Sequence, residues 1–284
     1  MNRAINWAGW SAAALAFAGA TVLLFAQESA APLRFVILGD RMGEVVAGKY
    51  EAVWKAIEAE KPAFVIGVGD SIQGGNDATA DKEWIEFEHI LEPFHKIPYF
   101  PVPGNHDIWD EASAKLYVKH AGHPLDYSFD EGPVHFTMLD NSRTDNLQPG
   151  EMSFLEEDLK AHQAQPVKFI VSHRPSWLLS VVLRNSNFPL AQLAAKYGVK
   201  YVIAGHVHEM MHLTLDGVEY ISAPSAGGHL RASGKYEDGW FFGYTVATVK
   251  GTDVQFEIHE LPPPDGEGRV TPLADWGIVG LLKK

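Results

Sequence analysis

The chain of 284 residues contains no cysteine, which excludes a disulfide framework, a thiolate nucleophile and any cysteine-bound metal. Basic residues are in short supply: 23 Lys and Arg face 36 Asp and Glu, a formal net charge of −13. Such a chain repels polyanions, so scaffold-type binding to nucleic acid is not expected. A phosphorylated substrate stays compatible, provided its site is locally positive. P-loop and G-x-S-x-G motifs are also missing, which argues against a P-loop nucleotide triphosphatase and a serine hydrolase. No internal repeat and no segment that specifies an oligomeric state is evident. What remains is an ordinary globular composition, 46% hydrophobic and 21% charged, able to bury a full core.

One long run lacks charge altogether. From Ala4 to Gln27, after Arg3, the chain is mostly Ala, Leu, Phe and Val. A positive start, an apolar middle and small residues at Ala26, Ala30 and Ala31 read as an export signal. The run also reaches the ~20 residues that a membrane-spanning helix requires. Residues 1–31 are therefore expected to be a cleaved signal peptide or a retained N-terminal anchor. The rest of the chain is expected to be exported, either periplasmic or secreted, or held at a membrane through residues 4–27 alone.

From Pro32 onward, short apolar runs alternate with helical periodicity. Arg34–Leu38, Phe64–Val68, Tyr99–Val102, Val134–Leu139, Val167–Val171 and Tyr201–Ala204 read as strands. Tyr50, Val53, Trp54 and Ile57 mark a helix face, as do Trp84, Phe87 and Leu91, Phe154, Leu155 and Leu159, and Leu190, Leu193 and Ala194. Then the pattern changes to hairpins: Asp216-Gly217 joins "HLTL" to "VEYIS", and Lys250-Gly251 joins "YTVATV" to "DVQFEIHE". A βα series followed by hairpins predicts one α/β domain with mixed sheets, over residues 32–260. The Pro- and Gly-rich stretch from Leu261 is expected to open a C-terminal tail, 261–284.

Five segments share one design, an apolar strand followed by a tight turn with polar residues. They are "VILGD" (Asp40), "VIGVGD" (Asp70), "FPVPGNHD" (Asn105, His106, Asp107), "FIVSH" (His173) and "VIAGHVH" (His206, His208). Ligands of layered α/β proteins bind beyond the carboxyl ends of strands, where all these groups would gather. Two carboxylates, an amide oxygen and three imidazoles suit Zn, Fe or Mn better than Ca. Taken singly, a Gly-Asp is more often a turn or cap, and an H-x-H pair is more often structural. Five in series reverse that balance.

The set resembles the calcineurin-like metallophosphoesterase superfamily, whose pattern is D-x-H, GD, GNH followed by D or E, a lone H, then GHxH. The resemblance implies a layered α/β/β/α sandwich of two mixed β-sheets flanked by helices. It also implies Asp70 bridging two metal ions, with Asn105, His173 and His206 completing one site and Asp40 and His208 belonging to the other. His106 would sit beside the scissile phosphate, oriented by Asp107. The departure is Met42, where the family usually has His; a thioether is a poor ligand for hard divalent ions. Purple acid phosphatases, a branch of the superfamily, also lack that His and use a Tyr three places after the bridging Asp. Gln73 occupies that place here and is a candidate ligand.

The function implied is metal-dependent hydrolysis of phosphoric esters, as phosphatase or phosphodiesterase, by metal-bound hydroxide at a binuclear site of divalent or trivalent ions (Fe, Mn or Zn). Arg41 and Arg174, beside ligand positions, are candidates for binding phosphate oxygens. The alternative is a phosphate- or metal-binding interaction module on the same fold that has lost turnover, motivated by Met42. The other histidines, His135 and His162 among them, read as structural; His212 and His229, near the GHVH segment and a Gly-rich loop, read more often as structural than as facing substrate. Trp109 and Trp177 read equally as pocket walls or core.

Overall fold

The computed structural model describes residues 31–263 and 266–276. The export or anchor segment over residues 4–27 lies outside the described residues. Among those described, no helix is long and apolar enough to cross a membrane.

The chain runs β1 (Leu33–Leu38), α1 (Lys49–Glu60), β2 (Phe64–Gly67), α2 (Asp77–Leu91), β3 (Tyr99–Pro101), α3 (Glu111–Ala121), β4 (Tyr127–Glu131), β5 (Val134–Met138) and α4 (Pro149–Ala161). It continues through β6 (Val167–Val171), α5 (Leu178–Val182), α6 (Pro189–Tyr197), β7 (Tyr201–Ala204), β8 (Met211–Leu215), β9 (Val218–Ser222), β10 (Gly243–Lys250), β11 (Asp253–Glu260) and β12 (Val270–Pro272). Two mixed six-stranded sheets result, in the orders β12-β11-β10-β1-β2-β3 and β4-β5-β6-β7-β9-β8.

Why two sheets face each other follows from the period of two along each strand. On β1, Phe35 and Ile37 point into the core between the sheets, while Val36 and Leu38 meet the helical layer of α1, α2 and α3. On β6, Phe169 and Val171 enter the same central core, and Ile170 faces the layer of α4 and α6. Phe35, Phe64, Phe136 and Phe169 pack at the centre with ring centroids 5.1–5.5 Å apart, stacked or edge to face. The central strands of both sheets are thus apolar on both faces, and the layered α/β/β/α sandwich expected from the sequence is the fold observed.

The parallel pairs position the site. β1, β2 and β3 run the same way in one sheet, and β5, β6 and β7 in the other. Each polar turn seen in the sequence therefore leaves the carboxyl end of a parallel strand. The segment read as a tail from 261 also contributes structure. β12 pairs antiparallel with β11 over Val270–Pro272, and Trp276, 1% exposed, packs on Tyr236 and Phe241 in the central core. A lone Val-Thr-Pro after a Pro- and Gly-rich run is too short to be read as a strand, and its pairing is supplied by the neighbouring edge.

Candidate metal centre

The loops after β1, β2, β3, β6 and β7 are laced to one another through their ligand candidates. His206 donates its backbone N–H to both Asp40 carboxylate oxygens at 3.0 Å. His106 donates its N–H to Asp70 Oδ1 at 2.9 Å. The His173 ring donates from Nδ1 to the Val68 carbonyl at 2.7 Å, and the His208 ring from Nδ1 to the His229 carbonyl at 2.8 Å. Each bond fixes which nitrogen remains for a ligand, because a carbonyl only accepts.

The remaining atoms converge. His173 Nε2 lies 3.3 Å from Asp70 Oδ2, 3.1 Å from Asn105 Oδ1 and 3.2 Å from His206 Nδ1. One imidazole nitrogen carries at most one proton, so these groups surround a place better suited to a cation. His208 Nε2 stands 3.3 Å from Asp40 Oδ2 yet is buried without a hydrogen-bond partner. Asp70, His173 and His206 form one group with ligand atoms within 4.8 Å of one another, and Asp40, Asp70 and His208 form a second. Asp70 belongs to both. A largely buried set of N and O atoms, one of them orphaned, fits transition-metal ions.

Electrostatics agree. Burial alone would lower the His173 pKa, but the Asp70 carboxylate overrides it and holds the ring at about 9. Burial, and then the charges of His173 and Arg174, push His206 down to about 4. The raised His173 value keeps a proton on its ring beside the Asp70 carboxylate.

The backbone is bent to make this cluster. Asp70, His206 and His208 all adopt positive φ, at 55°, 69° and 61°, a region that costs a non-glycine residue about 1–3 kcal/mol. Gly205 is required between them: a Cβ there would lie 2.5 Å from Asp40 Oδ1 and 2.5 Å from Val68 Cγ2.

Several sequence expectations change. Asp107 is fully buried and does not orient His106. It accepts N–H bonds from Ser71 (2.8 Å), Ile72 (3.1 Å) and Gly104 (2.8 Å), clamping the two loops that carry Asp70 and Asn105. The His106 ring instead donates from Nδ1 to the Gln73 carbonyl at 2.6 Å. The Gln73 side-chain amide lies beside that ring, 3.5 Å away. Arg41 bonds the Ser71 carbonyl at 2.6 Å and lies over the Tyr50 and Phe87 rings. Its guanidinium knits the β1 and β2 loops together. Arg174 bonds the Ser142 carbonyl and pairs with Asp145 at 2.9 Å. Met42 is buried, and its N–H bonds the Asp70 carbonyl at 3.0 Å. Trp177 is fully buried in the outer core, whereas the Trp109 indole bonds Asp77 at 3.0 Å.

One site residue was missed. Asn141, after β5, accepts from the His173 and Arg174 N–H groups and donates to the Arg174 carbonyl. "MLDN" is a sixth strand followed by polar residues, a signal present in the sequence but, like "FIVSH", without a glycine at the turn.

Away from the centre, buried His135 bonds Asp130 at 2.7 Å and Asp158 at 2.8 Å and stacks on His162 with centroids 3.9 Å apart. Both of its nitrogens are taken by carboxylates, which makes the cluster an ion-pair node, in line with the structural reading of these histidines.

Comparison with known proteins agrees with this geometry. The family model described as calcineurin-like phosphoesterase matches residues 33–210. Purple acid phosphatase 23 of Arabidopsis thaliana is 30% identical over 176 residues, covering 52% of this chain and 38% of that protein. The 3',5'-cyclic adenosine monophosphate phosphodiesterase CpdA of Haemophilus influenzae is 25% identical over 217 residues, 71% of this chain and 72% of that one. Among solved structures, the purple acid phosphatase from yellow lupin (Lupinus luteus) seeds superposes with a TM-score of 0.62 at 18% identity, covering 89% of this chain and 57% of that one. The chain thus spans well under two thirds of the plant phosphatases it matches.

Proposed function

The chain belongs to the calcineurin-like phosphoesterase family, and from that premise we propose that it is a metal-dependent hydrolase of phosphoric esters with a binuclear centre. The observation that carries the proposal is the position of Asp70 in both ligand groups, beside the orphaned Nε2 of His208. Asn105, His173 and His206 would hold one ion and Asp40 and His208 the other, with Asp70 between them. Fe, Mn or Zn there would lower the pKa of a bound water from about 15.7 toward 7 and offset charge on the phosphate oxygens.

The chain's own residues do the remainder. Because the His106 Nδ1–H is spent on the Gln73 carbonyl, its Nε2 is the nitrogen left to protonate the leaving oxygen or to stabilise its charge. Asp107 keeps the Asp70 and Asn105 loops at their spacing through three amides. Asn141 does the same for the His173 turn. Phosphatase and phosphodiesterase relatives support the reaction class.

The test is hydrolysis of p-nitrophenyl phosphate and of bis-p-nitrophenyl phosphate with Mn or Fe supplied. His106→Ala should lower turnover on the order of 10²–10⁴-fold, and Asp70→Ala at least as much. If both variants keep wild-type turnover, the assignment is wrong; if the wild type binds metal but turns over neither ester, the non-catalytic module is favoured. Export through residues 1–31 belongs to the same proposal and is tested by fractionating cells that express the full chain.

A further inference from the structure

Both arginines that the sequence offers for phosphate are committed elsewhere: Arg41 to the Ser71 carbonyl and two aromatic faces, Arg174 to Ser142 and Asp145. A third arginine borders the centre from a loop with no motif. Arg231 follows β9 in the segment "GGHLRASGK". Its Nη2 lies 3.8 Å from the place a Cβ on Gly43 would take, and that place is 3.1 Å from the orphaned His208 Nε2. The guanidinium is therefore within about 7 Å of that nitrogen, and its charge reaches the ring.

Two features make this more than a surface cation. First, Arg231 is exposed and makes no hydrogen bond or ion pair with any described residue, in a chain where acidic residues outnumber basic ones by 36 to 23. Second, its loop is fastened to the centre. The Ala226, Gly227 and Gly228 N–H groups all bond the Asp40 carbonyl at 3.0–3.1 Å, His229 N–H bonds the Gly43 carbonyl at 2.9 Å, and the His229 carbonyl orients His208. Arg231 stands two residues beyond these fastened positions.

We propose that Arg231 is a specificity-determining residue that binds the reacting phosphate of a monoester through its free terminal oxygen. The inference rests on the functional reading above. A diester has two non-bridging oxygens, and two metal ions would engage both. A monoester has a third and a second negative charge, which a guanidinium fork recognises with charge-assisted hydrogen bonds. At the edge of a centre that contains Asp40 and Asp70 it would also offset the repulsion a dianion meets.

The experiment compares wild type, Arg231→Gln and Arg231→Lys as metal-loaded full-length protein. KM and kcat are measured for p-nitrophenyl phosphate and bis-p-nitrophenyl phosphate, and inorganic phosphate is titrated calorimetrically. Arg231→Gln should raise KM for the monoester and the phosphate dissociation constant by about ten-fold or more. Its kcat should change far less, and KM for the diester should move less than about two-fold; Lys should recover part of the loss. Unchanged phosphate affinity, or an equal loss on both esters, overturns the proposal. If the wild type hydrolyses neither ester, the functional reading fails, and the phosphate titration still decides whether Arg231 binds the anion.

Discussion

Asp107→Asn separates two roles for a carboxylate that sequence alone conflates. In the structure, Oδ1 accepts from the Ser71 and Ile72 N–H groups and Oδ2 from Gly104. An asparagine keeps an oxygen for the first pair but turns its NH2 toward the Gly104 N–H, setting donor against donor. Leaving one buried amide unsatisfied costs about 1–3 kcal/mol, so Asp107→Asn should lose about 2 kcal/mol. Asp107→Ala strands all three amides and should lose roughly 5 kcal/mol on the same scale. For a domain of this size, 1 kcal/mol moves the melting temperature by about 2–4 °C, which gives drops near 6 °C and 15 °C. The assay is thermal and urea unfolding of metal-free protein beginning at Pro32, with metal content measured in parallel. Should Asp107→Asn melt within about 2 °C of wild type while only the pH profile of turnover shifts, Asp107 would be acting through His106, and the clamp would be refuted.

Two further outcomes follow from the titrating groups. Metal must displace the proton that Asp70 holds on His173, whose pKa is about 9. Apparent Mn affinity should then rise about ten-fold per pH unit from pH 6 and level off near pH 9; a flat titration would contradict the shared-proton picture. At the His135 node, burial lowers the pKa, but Asp158 and Asp130 override it and the net shift is upward. A folded value above the unfolded one means stabilisation is complete below about pH 6.5 and fades as pH rises through the folded value. Replacing His135 with Leu breaks a buried pair, a loss of about 3 kcal/mol. The gap from wild type should be widest near pH 6 and narrow above it, with turnover per folded molecule unchanged; a gap that widens with pH would refute this.

The fold was legible because the central strands of both sheets are covered on both sides, so β1, β2, β6 and β7 stand out as apolar runs closed by a polar turn. The gathering of the candidate ligands was legible for the same reason: strand ends, once aligned in parallel, bring together whatever they carry. What a side chain bonds was not. Asp107 and His106 are adjacent in sequence, yet their loops turn them toward Gly104 and Gln73. Arg41 and Arg174 sit next to ligand positions, but the partners they take, Ser71 for one and Ser142 and Asp145 for the other, come from loops the sequence does not connect to them. Arg231 lies on a loop without periodicity, and its nearness to His208 depends on a contact between the loops after β1 and β9. Nor could Trp276 be assigned to the core before the pairing of β12 with β11 brought it back.

The central claim is that Asp70 serves two ions at once. Metal content per chain, by elemental mass spectrometry after reductive loading with Mn, Fe and Zn, tests it most directly. The account predicts two ions in the wild type and fewer than two in Asp70→Asn. A single ion in the wild type, unaltered by that substitution, would contradict it.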